Sequence, residues 1–477
     1  MRILLALGLL VLVLQNIAGL NEHKVEKVFQ WNKVEFEFLP KSEYTFLGPY
    51  KYYVPENNAI GGFGYHPASK LVIVVFPRIK PGLPVTLGAF CARDYLYGQG
   101  PRIWGFPNYL VNELQAIDFL RGTEEDRGRR TWNRPADPVK ALTYYSNSYF
   151  GRTPDNDRPF PVKVGPLYNL DRIISVFQVT VDEKCNRVFF VDNGQVQYSQ
   201  NSTYYIQKPA LLVLELPTYG CESRNFPIIR RVELPDKVTE KGSYGFAHIT
   251  LDYQSESSCD DLFVYFTNTF FNYITVYDYK NNDFWTLEHQ TFQPVVSESF
   301  FTYDKSFEYQ LSAGVFSISL GYPDVNGDKT AFYTPIAGTA QYAVSTKVLK
   351  NKNNSFISQS LNDFRIMGYR SCNHQSFKTV IDYNYGVMFY SEVQSNQLRC
   401  WNIKKPLNPD YIGVVYESEE FSAGFQMFID SQGYLWFQST SVPVTFATDS
   451  PLDFNKINQR IFRIRVSDAI QGTVCAN

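Results

Sequence analysis

The stretch VFQVTVDEKCNRVFFVDNG (176–194) decides the fold. An alternating apolar run, VFQVTV, closes on Asp182. A four-residue polar turn follows, and a second apolar run, RVFFVD, comes next. Alternation with period two marks strands, and a short polar turn between two such runs marks a hairpin. The unit recurs along the chain. It appears upstream as GGFGYHPASKLVIVVF (61–76). Downstream come FAHITLDYQSESSCDDLFVYFTN (246–268), FSISLGYPDVNGDKTAFYT (316–334), FKTVIDYNYGVMFYSEV (377–393) and FQMFIDSQGYLWFQST (425–440). Six copies, each followed by room for further strands, predict an all-β chain folded as a single six-bladed β-propeller. TVYDYKNNDFWTLEH (275–289), YAVSTKVLKN (342–351) and LRCWNI (398–403) supply such further strands.

A propeller must close its ring or leave a sheet edge exposed. VFQWNKVEFEF (28–38) precedes the first unit, so this N-terminal strand is expected to complete the last blade beside RIFRIRV (460–466). The segment 121–160 fits no strand. It is charged and rich in Pro and Asn, and reads as an insertion on the rim. Its run Glu124 to Arg130 is a candidate docking segment, though such runs more often form solvated loops.

The first residues set the compartment. Met1-Arg2, the apolar run Ile3 to Leu14 and the small residues Ala18 and Gly19 describe a signal peptide over 1–19, leaving 20–477 as the propeller. No later run approaches the roughly 20 apolar residues of a membrane span. A secreted, extracellular protein is therefore expected. Seven cysteines suit an oxidising compartment. Cys185 and Cys259 precede the second strand of consecutive units, and Cys400 and Cys475 repeat nearly the same spacing. These are the expected disulfides, tying neighbouring blades. The spacing leaves Cys91, Cys221 and Cys372 unassigned. Asn201 and Asn353 head glycosylation sequons.

Composition excludes several functions. The 45 basic residues nearly balance the 47 acidic ones, and no basic stretch interleaved with aromatics suggests nucleic-acid binding. No CxxC pair, His-Glu-x-x-His or Gly-x-Ser-x-Gly motif occurs. The five histidines, His23, His66, His248, His289 and His374, show no ligand spacing. Neither a metal nor a cofactor is expected. Asp324-Val-Asn326-Gly327-Asp328 resembles a calcium loop only faintly and reads as an inter-strand turn.

Aligning five units on the residue that closes the first strand (Asp182, Asp252, Gly321, Asp382, Asp430) yields a candidate site. Four residues earlier stand Gln178, His248, Ser317, Lys378 and Gln426; two residues earlier stand Thr180, Thr250, Ser319, Val380 and Phe428. In the first unit Gly62 and Gly64 occupy these places, counted from His66. Alternation turns these positions toward a central channel. Phe177, Phe316, Phe377 and Phe425 sit one residue before the first ring, placed to pack between blades or floor a pocket. A polar ring beside aromatic faces suits a small aromatic amine or catechol. Inner strands of a propeller need polar groups even without a ligand. Within the ring only His248 has the intrinsic pKa of a proton shuttle.

The chain resembles the yellow / major royal jelly protein family of insects. The carrying pieces are FQWNKVEFEF, VIVVFPRIKPGLPVTL (72–87), SVFQVTVDEKCNRVFFVDNG (175–194), YAVSTKVL (342–349), GVMFYSEVQSNQLRCWN (386–402) and FRIRVSDAIQGTVC (462–475). The resemblance spans nearly the whole mature chain. It implies a secreted six-bladed propeller and three possible activities: a non-catalytic factor in cuticle or eggshell pigmentation and hardening, with matrix proteins as partners; a channel-mouth binder of biogenic amines or catechols; or a dopachrome-converting isomerase. Two departures bear on the choice. Gly424-Phe425-Gln426 stands where many members carry Pro-Asn-Asp, so a protonated amine lacks its counter-charge. Gln178 replaces an Arg common in the second unit. The missing Asn-Asp pair favours the non-catalytic reading.

Overall fold

Each quoted unit becomes the two inner strands of one antiparallel sheet. The structure is a computed structural model that describes residues 24–37, 53–92, 100–112, 114, 172–197, 203–222, 224, 226–240, 242, 244–356, 363–448 and 450–476. Six four-stranded sheets form the blades of a propeller. Blade I comprises Gly62–His66, Leu71–Val75, Leu87–Cys91 and Trp104–Gly105. Blade II comprises Thr180–Asp182, Arg187–Asp192, Ala210–Glu215 and Ile228–Glu233, and blade III Phe246–Tyr253, Leu262–Asn268, Tyr273–Asp278 and Asp283–Glu288. Blade IV has Val315–Pro323, Lys329–Pro335, Ala340–Ser345 and Arg365–Tyr369; blade V has Thr379–Asp382, Val387–Glu392, Gln397–Asn402 and Ile412–Glu417. Blade VI holds Met427–Ile429, Tyr434–Thr440 and Gln459–Arg465, and its outermost strand is Glu26–Trp31.

That last strand closes the ring. Glu26 pairs with Arg463 and Trp31 with Gln459. Phe29 and Trp31 are buried and meet Phe90 of blade I at 4.9 and 5.8 Å between ring centroids. The first and last blades are thus joined by both backbone pairing and aromatic packing. The segment 121–160, residues 1–19 and Asn201 lie outside the described residues.

The core is divided by blade interface. Separate apolar clusters fill the II/III, III/IV, IV/V and V/VI junctions, and a larger one joins I to II and VI. Cys185 is bonded to Cys259, and Cys400 to Cys475. Cys91 pairs with Cys221, a link that spacing left open. These bonds tie I to II, II to III, and V to the segment that follows blade VI. Cys372 is free and exposed.

The closing aspartates explain why the units align. Asp182 accepts from Arg187 Nε at 3.0 Å and from the Tyr253 hydroxyl at 2.5 Å. Asp430 accepts from Trp436 Nε1 at 2.7 Å and the Tyr434 amide at 2.9 Å. Asp252 accepts from Tyr265 and Lys329, each at 2.7 Å, and Asp382 from the Tyr385 amide at 2.8 Å. Asp182, Asp382 and Asp430 each brace an inner turn, whereas Asp252 ties the second strand of its blade to blade IV. In blade IV Gly321 cannot brace the turn, and the strand runs on to Pro323. Asp324 then takes over, accepting the amides of Asn326 and Asp328 at 2.8 and 3.0 Å.

Candidate channel site and its aromatic cap

The inner-strand register brings the expected ring together, but as a plug. Gln178, His248, Ser317, Lys378 and Gln426 are all buried. Gln178 Nε2 donates to Gly61 O at 2.8 Å, and Gln426 Nε2 donates to Val179 O at 3.2 Å. The second bond links blade VI to blade II, in front of blade I. Glycines in blade I leave the room. A Cβ on Gly62 would lie 2.0 Å from Gln178 Oε1, and one on Gly64 would lie 2.7 Å from Val181 Cγ2.

A second bridge runs from blade III to blade V. Lys378 Nζ is in hydrogen-bond contact with His248 Nε2. Blade IV lies between them and carries only the small Ser317, whose Oγ accepts from the Thr379 amide at 3.4 Å. His248 Nδ1 lies 3.5 Å from Thr250 Oγ1, which itself donates to Ile318 O at 2.7 Å. With that hydroxyl hydrogen already committed, the consistent tautomer has Nδ1 protonated and Nε2 accepting from the lysine. Lys378 is 4% exposed and His248 8%. Burial, reinforced by Lys378, holds the imidazole well below its ordinary pKa. Burial likewise holds the Lys378 amine well below the usual lysine range. Both groups are thereby pushed toward their neutral forms.

The next ring is also committed to neighbouring blades. Thr180 Oγ1 donates to Ile249 O at 2.7 Å, Thr250 to Ile318 O, and Ser319 Oγ to Thr379 O at 2.8 Å. A hydroxyl on one inner strand thus satisfies a carbonyl on the following one, from blade II round to blade V. Val380 and Phe428 occupy this ring with apolar side chains, and Phe428 packs against Phe63 at 5.1 Å.

Aromatic side chains cap the ring at the starting end of the inner strands. Phe377 and Phe425 meet edge to face at 4.1 Å, and Phe316 lies 6.2 and 6.5 Å from them. Phe177 does not join them; it packs edge-on against Tyr244 at 5.3 Å. A hairpin between blades III and IV, Phe300–Tyr303 with Phe307–Gln310, adds Phe301, stacked 6.2 Å from Phe377. Tyr303 reaches blade VI, donating to Thr440 O at 3.2 Å. Phe446, from the helix Val442–Ala447, meets Tyr309 at 5.4 Å. The hairpin was not foreseen from sequence. Its signal was the alternation in FFTYDKSFEYQ around Asp304-Lys305, both at positive φ.

Sequence reasoning also passed over two organisers. Arg78 is buried, and its guanidinium donates to Ile174 O and Asn112 O, each at 2.5 Å, and to Pro84 O at 3.3 Å. Asn193 Oδ1 accepts the amides of Gly245 and Phe246 at 3.0 Å, joining blade II to the start of blade III. Among the described residues no cluster of three His, Cys, Asp or Glu side chains is placed to hold a metal. Asn353 is exposed in the turn Lys352–Phe356, at the edge of a groove of about 510 Å³ that also touches Lys237, Asp283 and Trp285.

Comparison with known proteins places this architecture. The chain is 27% identical over 467 residues to the yellow-related salivary protein LJM111 of Lutzomyia longipalpis, covering 97% of this chain and 96% of that one. It is 32% identical over 306 residues to the yellow-related salivary protein ASP4 of Phlebotomus orientalis, covering 64% and 74% respectively. It is 27% identical over 406 residues to the L-dopachrome tautomerase yellow-f of Drosophila melanogaster, covering 85% and 79%. The major royal jelly protein family pattern matches residues 174–475, which takes in blades II to V and the three inner strands of blade VI. With residues 174–475 matched across blades II to VI and the strand register repeated round the ring, the chain belongs to the major royal jelly protein family, the yellow proteins among them.

Proposed function

We propose that this protein is exported and acts outside the cell as a non-catalytic factor in cuticle or eggshell pigmentation or hardening, working through its outer surface. One observation carries the reading. Most of the polar groups that a channel ligand would need are buried and bonded from blade to blade, with Gln178 Oε1 left without a partner, and an aromatic cap lies over them. A cationic amine is further disfavoured because Gln426 stands where many family members carry a carboxylate, and none of the ring residues Gln178, His248, Ser317, Lys378 and Gln426 is acidic. Three disulfides and the apolar leader support export. Matrix proteins are the expected partners, and the 121–160 segment is the first place to seek their docking.

A second reading has its own support. His248, hydrogen-bonded to Lys378 across the ring, is a candidate to move a proton, as conversion of dopachrome requires, and a relative bears the name L-dopachrome tautomerase. Following dopachrome decay with purified secreted protein separates the two. The proposal expects a rate equal to the uncatalysed one. Turnover that disappears in His248→Ala would replace it with the enzyme reading.

A further inference from the structure

The blade IV/V junction is the most thinly packed of the seams between blades and, like III/IV, has no disulfide across it. It has the smallest inter-blade apolar cluster: Phe332, Ala343, Ile381, Met388, Tyr390, Trp401 and Leu407. At its turn end, however, two tyrosine rings meet across the gap. Tyr322 belongs to the inner strand of blade IV, and Tyr383 follows the inner strand of blade V. Their centroids are 5.9 Å apart with planes 60° from parallel. The Tyr322 hydroxyl donates to the Tyr383 carbonyl, which holds the rings together. Gly386 lets the ring lie over the turn, since a Cβ there would stand 3.1 Å from the Tyr322 hydroxyl. Tyr322 and Tyr383 are 37% and 48% exposed, while burial of its hydroxyl end raises the Tyr383 phenol to about 12.

We propose that Tyr322 and Tyr383 form an oxidative modification site, coupled to a dityrosine that staples blade IV to blade V. The oxidant is hydrogen peroxide acting through an extracellular haem peroxidase. Each phenol gives up one hydrogen atom. The two phenoxyl radicals join through ring carbons ortho to oxygen, and the displaced ortho hydrogens return to the oxygens as the rings regain aromaticity. Peroxide takes the two abstracted hydrogens and leaves as two waters. The bond closes a loop of 61 residues, so it constrains the unfolded chain as a disulfide does. The site is separate from the channel and does not depend on what the channel does.

The test treats the secreted protein with a haem peroxidase and limiting hydrogen peroxide, isolates the monomer and maps its peptides by mass spectrometry. The expected product is a peptide pair joining Tyr322 to Tyr383, two hydrogens lighter than its parts, with a melting temperature raised by several degrees. Tyr322→Phe and Tyr383→Phe should each lose the linked pair and the temperature rise. Should either variant fail to fold, the wild-type peptide map decides alone. A monomer without the 322–383 link, while Tyr219 at 91% exposure couples between chains, would overturn the proposal.

Discussion

His248 shows how one residue's surroundings determine its behaviour. Folded, it is held neutral by burial and by Lys378; unfolded, it regains an ordinary pKa near 6.5. Below that pH the unfolded chain binds a proton that the folded chain refuses, so stability falls as pH drops through about 6.5 and continues falling toward the folded value. The slope from this one group is at most about 1.4 kcal/mol per pH unit. Denaturant midpoints measured from neutral pH downward should therefore fall more steeply for the wild type than for His248→Gln. Gly62 makes the complementary point about space. Gly62→Ala drives a methyl into the Gln178 carboxamide and should cost about 1–3 kcal/mol by chemical denaturation. Adding Gln178→Ala should recover much of that loss, because the obstructing group is gone. Equal loss with and without Gln178 would place the strain elsewhere.

Among the elements, the N-terminal strand closes the ring. Glu26–Trp31 supplies the outer edge of blade VI while Trp31 packs on blade I and donates Nε1 to Pro101 O at 3.0 Å. Trp31→Ala should cost about 3–5 kcal/mol, seen as a lowered denaturant midpoint, and should expose the blade VI edge to proteolysis. The elements also show what was legible. Strand and turn units were readable because a half-buried strand has period two and the closing Asp recurs. The disulfides between Cys185 and Cys259 and between Cys400 and Cys475 followed from that same repeat. Cys91 and Cys221 were not readable, because they lie at unlike places in blades I and II. The capping hairpin at 300–310 lay between units and broke no pattern, so nothing marked it as a lid. Ring positions could be listed from register alone. That His248 would meet Lys378 across blade IV depended on the ring's diameter and on the small Ser317 between them, which no local pattern encodes.

At the scale of the molecule, a propeller has a single axis on which ligand and structure compete for the same side chains. Here the inner rings are engaged in joining blade to blade, and three disulfides with one closing strand hold the circle. Fold and family fix that architecture and leave activity to the site. The proposed function places the working surface outside, with the channel as its scaffold. The most direct test is a thermal-shift titration of the secreted protein with dopamine, serotonin, octopamine and a dopachrome analogue, since a ligand that binds only the folded state raises the melting temperature by mass action. The account predicts no shift at concentrations well above micromolar. A saturable rise that vanishes in His248→Ala or Gln426→Ala would contradict it and make the channel a working ligand site.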